Sequence, residues 1–438
     1  MVSRSRDARP PRARRVPWRP RAKHASVRRG PLLYCPPQRF RRFSPLEGRR
    51  RDGPDGVQQG DDAMSDSAAL NGYYTLGRSG LRVSRLALGT MTFGTEWGFG
   101  ADKDTVRRMF DIYVEAGGNL FDTADMYTGG TAETWLGEFI AERGMRDKAV
   151  IVTKFGHSGE RGNPNAGGNG RKNILRAVDA SLKRLGTYYI DVYMLHTWDR
   201  VTPAEEVMRT LDDLVRWGKV RHIGLSDVPA WYASRAQTVA ELRGWEPACA
   251  VELEYSLAER NLEHEFTALG TEHGMGILAW SPLANGLLSG KYRPGEDGAG
   301  AGAGRLEHLK PYLSRPFQRF TSRNWAIVAE LEAVAKLAGC SMAQVALNWV
   351  AHRPGVASVI VGATRPEQLE ENLAALSFDL PAGLRARLDA ASAPVPSFPY
   401  IFFGAEVQGS IHAGAKVGTK PPGYTPTIDD AGKGVGSG

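Results

Sequence analysis

From Tyr73 onward the chain alternates between two kinds of hydrophobic pattern. Short, nearly continuous apolar runs occupy Leu86–Leu88, Asn119–Asp122, Val150–Lys154, Ile190–His196, His222–Leu225, Ala248–Leu253, Gly276–Trp280 and Val356–Gly362. Runs of this length without a polar face read as strands covered on both sides. Between them lie longer stretches with apolar residues three and four apart, among them Asp104–Glu115, Ile174–Leu185, Ala204–Trp217 and Met342–Val350, which read as amphipathic helices. Ahead of the first run, Tyr74–Val83 has GRSG between two strand-like segments and predicts a β-hairpin.

Eight strand–helix units predict one (β/α)8 TIM barrel over residues 73–400, with the hairpin as an N-terminal cap. Such barrels place function at the C-terminal ends of their strands, and Asp122, Lys154, His196, Ser226 and Ser281 all fall at or just after a predicted end. A Rossmann sheet is the main rival, but no GxGxxG joins an early strand to a helix; GAGAGAG at Gly298–Gly304 reads as a low-complexity loop. GLLSGKY at Gly286–Tyr292 has the wrong glycine spacing for a phosphate-binding Walker loop.

Composition changes this picture at the two ends. The 438 residues carry a formal charge of +8, but residues 1–63 hold sixteen Arg and one Lys against six acids, a net +11, which leaves −3 for residues 64–438. A basic stretch rich in Pro and Arg without hydrophobic periodicity is expected to be disordered. Three accounts of it stay open: a translated stretch upstream of a true start at Met64, which we favour, a targeting peptide, or a nucleic-acid arm. With the barrel mildly acidic, nucleic acid is disfavoured as a partner. Residues 401–438 form a Gly-rich tail of undecided role. No apolar run approaches membrane-spanning length. Cys35, Cys249 and Cys340 are scattered and without a CxxC, which suits the cytoplasm and offers no metal framework.

The chemistry begins with FDTADMY at Phe121–Tyr127, TKF around Lys154 and MLH ending at His196. Taken singly, Asp122 reads as a turn acid, Tyr127 as a loop aromatic, Lys154 as a strand-end charge and His196 as a core histidine. Together they make a proton-transfer set. A buried ammonium beside a phenol stabilises phenolate and lowers the phenol's pKa, Asp122 would hold Lys154, and His196 could bond a carbonyl oxygen. Such a set suits a carbonyl that takes a hydride on carbon and a proton on oxygen from Tyr127, with a nicotinamide cofactor as hydride source.

FDTADMYTGGTAETWLGEF, VIVTKFG, DVYMLHTWD, IGLSDV, VELEYSLAER, AWSPLANGLLSGKY and VIVGATRPEQLEENL occur in the order seen in aldo/keto reductases. The chain closely resembles that family, in the branch that includes bacterial reductases and the barrel subunits of potassium channels. The resemblance implies NADP(H) bound without a Rossmann domain, and a catalytic tetrad of Asp122, Tyr127, Lys154 and His196. It implies further cofactor contacts from Gly89, Thr90 and Met91, from Asp122, and from Ser226, Asp227 and Glu252 at the carboxamide, with Trp280 stacked on the nicotinamide. Ser281, Pro282, Leu283, Gly286, Lys291 and Arg305 would follow the pyrophosphate; Gly362, Thr364, Arg365, Gln368, Glu371 and Asn372 would hold the adenosine end. Trp97 and Trp198 are candidates to wall the substrate cleft.

Two positions depart from many relatives, which carry amides where this chain has Asp227 and Glu252. A carboxylate can accept from a carboxamide NH2 but donates to its C=O only when protonated. Arg365 could pair with a 2′-phosphate, favouring NADP over NAD. The expected activity is NADPH-dependent reduction of a small aldehyde or ketone, without a metal, by a protein free to form a homo-oligomer. The alternative is a nicotinamide-binding regulatory or sensor subunit with little turnover.

Overall fold

The computed structural model describes residues 70–157, 159–295, 300–301, 305–306 and 318–415. The Arg/Pro-rich segment 1–63, residues 416–438 of the tail and most of the Gly298–Gly304 stretch lie outside the described residues. Strands β1 (Tyr73–Thr75) and β2 (Arg82–Ser84) pair antiparallel as the predicted hairpin, with Tyr74 opposite Val83. The barrel strands are β3 (Leu86–Gly89), β4 (Leu120–Asp122), β5 (Val150–Phe155), β6 (Ile190–Leu195), β7 (Val220–Ser226), β8 (Ala248–Glu254) and β9 (Gly276–Trp280). A two-residue pair, β10 (Arg293–Pro294) with β11 (Gly300–Ala301), interrupts the loop after β9. The last barrel strand, β12 (Val356–Val361), pairs with both β9 and β3, which closes the eight parallel strands into a barrel.

Helices α1 (Lys103–Glu115), α2 (Thr131–Glu142), α3 (Arg171–Leu185), α4 (Ala204–Arg216), α5 (Ala230–Arg243) and α6 (Phe266–His273) connect consecutive barrel strands. Then come α7 (Ser322–Ala338), α8 (Met342–Ala351), α9 (Pro366–Leu373), α10 (Ala382–Ser392) and α11 (Ala405–Ile411). Their ends follow local chemistry: Asp102 accepts from the Thr105 amide to start α1, Ser341 and Gln344 form a reciprocal capping box at α8, and Gly186 ends α3 in the left-handed region that glycine enters without strain.

The alternation of strand side chains positions the site. Leu120 and Asp122 point one way, into the lumen, while Phe121 points outward to the helices. On β5 the lumen series is Val150, Val152 and Lys154; on β6 it is Val192 and Met194, leading to His196 just beyond the strand. Leu76 and Val83 of the hairpin pack into the same inner cluster as Val150, Val192 and Leu278. The lumen is therefore apolar toward the hairpin and changes to charged groups only in its last layer, at the strand C-terminal ends.

Candidate active site

Lys154 is fully buried, and its Nζ donates to Asp122 Oδ2 at 2.6 Å and to the Thr123 carbonyl at 3.1 Å. On its other side Nζ lies 3.1 Å from Glu252 Oε1, so one ammonium stands between two buried carboxyls. The same Nζ is 5.5 Å from the centre of the Tyr127 ring. His196 meets that ring edge-on, with centroids 5.9 Å apart, and Trp97 meets it from another side at 6.1 Å. All four residues proposed from the sequence for proton transfer thus converge at one end of the lumen.

Burial opposes charge on Lys154, but Asp122, Glu252 and Tyr127 together raise its pKa above the ordinary lysine value, so it stays an ammonium. Tyr127 departs from expectation. Burial raises its pKa more than Lys154 lowers it, and Asp122 and Glu252 add to the rise, so the net shift is upward. The expected lowering by Lys154 is present but outweighed, first by burial and then by the two carboxyls beside that ammonium, so the phenol is firmly protonated. The pKa of His196 is pushed down to about 2 by burial, with Lys154 and His157 adding to the effect, so its imidazole is neutral. Its Nδ1 is buried without a hydrogen-bond partner. A protonated phenol and a neutral imidazole side by side can bond a carbonyl oxygen and deliver one proton to it.

The loops that carry these groups are held by the neighbouring strands. The Thr90 amide donates to the Asp122 carbonyl, the Asp125 amide to that of Lys154, and the His196 amide to that of Phe155. Thr128, Asp227, Ser281, Ala284 and Asn285 adopt left-handed backbone conformations although none is glycine. All five lie in loops at this end, where backbone strain commonly accompanies function.

The residues expected to hold a cofactor also lie at this end. Gly89, Thr90 and Met91 close β3, and Ser226 ends β7 beside Glu252 in register. Asp227 accepts from Trp280 Nε1 at 3.2 Å, which fixes the indole at the end of β9; burial raises the pKa of Asp227 to about 6. The Asn285 amide donates to Ser281 Oγ in the turn that includes Pro282 and Leu283. Gly286 has φ +91°, and a Cβ there would meet Lys291 Cε and Nζ at 2.8 Å, so only glycine lets this lysine lie against the loop. Gly362 and Thr364 follow β12; Gln368 accepts from both the amide and the hydroxyl of Thr364; Arg365 precedes α9, which carries Glu371 and Asn372.

Lys291, Arg305 and Arg365 test the fit to a dinucleotide. Burial lowers the pKa of Lys291, and Arg365 and Arg305 lower it further, so three cations stand within electrostatic reach of one another. None of them forms an ion pair among the described residues. Converging, unneutralised cations at the end of a barrel suit the phosphates of a nicotinamide dinucleotide. Among the described residues no group of three or more His, Cys, Asp or Glu could hold a metal ion, and no helix is long and apolar enough to cross a membrane.

Trp198 is placed differently from Trp97. It packs against Trp231 and Tyr232 of α5, with centroids 5.2 and 5.5 Å away. Sequence reasoning passed over His157, whose ring lies 4.7 Å from that of His196, and Phe99, which sits between Trp97 and the Arg305 guanidinium. It also passed over Asp125, whose pKa burial raises to about 7 and whose Oδ1 is buried without a partner. His157 was visible only as a near neighbour of TKF, and Asp125 only as a second acid inside FDTADMY. An open depression of about 490 Å3 lies at the opposite end, beside Tyr74, Gly77 and Met275, away from these groups.

A model of the Aldo/keto reductase family matches residues 85–393. The chain is 33% identical to an aryl-alcohol dehydrogenase of Pestalotiopsis microspora over 75% of its own length and 84% of the relative's. It is 37% identical to a probable voltage-gated potassium channel subunit beta of Oryza sativa subsp. japonica, covering 69% and 90%. It is also 33% identical to an aryl-alcohol dehydrogenase [NADP(+)] of Phanerodontia chrysosporium, covering 74% and 86%. By its closed eight-stranded barrel and by these similarities, the chain belongs to the aldo/keto reductase family.

Proposed function

We propose that this protein reduces an aldehyde or ketone to the alcohol with NADPH. The observation that carries this reading is the buried Lys154, paired to Asp122 beneath the Tyr127 phenol and the neutral His196. Tyr127 and His196 would orient the carbonyl oxygen between them, and Tyr127 would give it a proton as negative charge develops. Lys154 would stabilise the phenolate left behind, and Asp122 would keep Lys154 charged and in place. The bound nicotinamide supplies the hydride.

For that cofactor, Trp280, Ser226, Asp227 and Glu252 would receive the nicotinamide end, Ser281, Pro282, Leu283, Gly286, Lys291 and Arg305 the pyrophosphate, and Thr364 to Asn372 the adenosine end. The preference for NADP rests on Arg365 and on the NADP(+) named for one relative. Trp97 beside Tyr127, with Phe99 behind it, favours a flat aryl aldehyde over a short aliphatic one, in keeping with the aryl-alcohol dehydrogenases among the relatives. We assign the activity to the cytoplasm.

The similarity to a potassium channel subunit beta supports a second reading, a nicotinamide-binding regulatory module with slow turnover. One experiment separates them: NADPH oxidation followed with aromatic and aliphatic aldehydes, alongside direct NADPH titration. Steady turnover that Tyr127→Phe abolishes supports the reductase. Tight binding without turnover across the panel supports the module, and absence of binding overturns both.

A further inference from the structure

Glu252 introduces a charge problem that the proton-transfer set does not need. Asp122, Lys154 and Glu252 reach the same layer of the lumen from β4, β5 and β8, and none is more than 4% exposed. Lys154 Nζ is 2.6 Å from Asp122 Oδ2 but 3.1 Å from Glu252 Oε1, so the shorter, stronger bond goes to Asp122. Glu252 Oε2 is buried and has no donor. The two carboxyls are also close enough to bond to one another when one carries a proton. The other groups facing Glu252 offer no relief: Ser226 beside it on β7 and Leu278 beside it on β9 carry no charge, Tyr127 is a protonated phenol, and Asp227 beyond Ser226 is a further acid. One cation cannot compensate two carboxylates in a dry site, and a group placed so neutralises instead.

We propose that Glu252 is a positioning residue held as a neutral carboxylic acid, which shares its proton with Asp122 and so leaves Lys154 with one ionised partner. Burial, and then the Asp122 charge, push its pKa well above the ordinary carboxyl value, in keeping with this assignment. The neutral form has two consequences. It spares Tyr127 a second nearby negative charge, which would raise the phenol further and weaken the pull of Lys154 on the phenolate. Turned from Asp122 toward the cofactor, the same O–H also gives this position both a donor and an acceptor, as an amide has, so the acid can then meet both sides of a carboxamide where a carboxylate could meet only one. The second consequence rests on the NADPH reading above; the protonation itself does not.

Infrared difference spectroscopy of the protein without cofactor, wild type against E252Q, tests the proton directly. We expect a protonated-carboxyl stretch at neutral pH that is missing in E252Q and that shifts when glutamate carboxyls, but not aspartate carboxyls, carry 13C. No such band, or a band that follows the aspartate label, overturns the assignment. NADPH affinity then tests the role. In wild type it should fall severalfold as pH rises and Glu252 loses its proton, while E252Q, which has no carboxyl proton to lose, should stay flat over the same range whatever its affinity at neutral pH. Parallel profiles for the two proteins overturn the link to the cofactor. A protein that never binds NADPH or turns over still gives the infrared result, so failure of the reductase reading is distinguishable from failure of this one.

Discussion

Lys154 Nζ donates to Asp122 Oδ2 across 2.6 Å, from β5 to β4, with neither side chain more than 4% exposed. A buried pair of this kind costs most when one partner is removed, because the other is left charged without compensation. Here Glu252 is at hand as a substitute partner. Asp122→Asn should therefore cost only about 1–3 kcal/mol of unfolding free energy, the range for a buried group losing one bond. Asp122→Asn with Glu252→Gln strips both acids from Lys154 and should cost about 3–5 kcal/mol. Urea denaturation of wild type, both single variants and the double variant checks this cycle. A double variant no less stable than Asp122→Asn would mean that Glu252 contributes nothing to holding Lys154.

Tyr127 is the sole phenol within reach of both Lys154 and His196 among the described residues. Tyr127→Phe keeps the ring and its edge contacts with Trp97 and His196 but removes the proton. We expect kcat to fall by about 10²–10⁴-fold, the usual contribution of a positioned acid, with the NADPH dissociation constant unchanged. Stopped-flow measurement of a single turnover together with fluorescence titration of NADPH reads the two separately. Equal losses in binding and turnover would assign the phenol to the cofactor rather than to proton transfer.

His196 gives a pH dependence of definite sign. Its pKa in the folded protein is about 2, against about 6.5 in an unfolded chain, so below that upper value the unfolded state takes up a proton that the folded state does not. The neutral imidazole is therefore fully compatible with the fold above about pH 6.5, and stability is lost as pH falls below it, by at most about 1.4 kcal/mol for each pH unit. His196→Asn lacks this loss. Thermal melts of the two proteins from about pH 7 to about pH 5 should diverge, with wild type falling faster by up to about 2 kcal/mol at the acid end. Parallel melting curves would show that the imidazole already carries a proton in the fold.

How far the sequence could go depends on the range of the interaction. All eight barrel strands were legible because their apolar runs are covered on both faces; the main difference is β7, which begins at Val220 where the run was read from His222. Strand-end positions then followed from the period of two, which is why Asp122, Lys154 and His196 could be assigned to one end. What a linear reading could not supply was distance across the lumen. Glu252 was legible as a departure from an amide but not as a second partner of Lys154, because β8 and β5 are not neighbours in the sheet. Tyr127 was assigned a lowered pKa because Lys154 was visible and the degree of burial was not. The strand-end position of Trp198 makes it a candidate cleft wall, but its ring neighbours Trp231 and Tyr232 come from α5, one strand further along the barrel, and were not legible from the sequence. His157, against His196, carried no signal beyond its closeness to a strand end.

Arg365 is exposed at the start of α9, directly after the turn in which Thr364 bonds Gln368. It lies close enough to Lys291 to lower that lysine's pKa, yet it makes no ion pair among the described residues. A guanidinium so placed costs nothing to desolvate from a protein partner and has its planar fork free for a phosphate, where two parallel charge-assisted bonds can form. Bonds of this kind contribute about 1.5–3 kcal/mol, which corresponds to roughly 10- to 150-fold in affinity. Arg365→Ala should therefore weaken NADPH binding by about that factor while leaving NADH binding within about twofold, and Arg365→Lys should keep part of the preference through its charge alone. Fluorescence titration with both cofactors, repeated at higher salt, checks it. If the NADPH-to-NADH ratio were unchanged in Arg365→Ala, the 2′-phosphate would have to be read elsewhere, with Lys291 and Arg305 the next cations to remove.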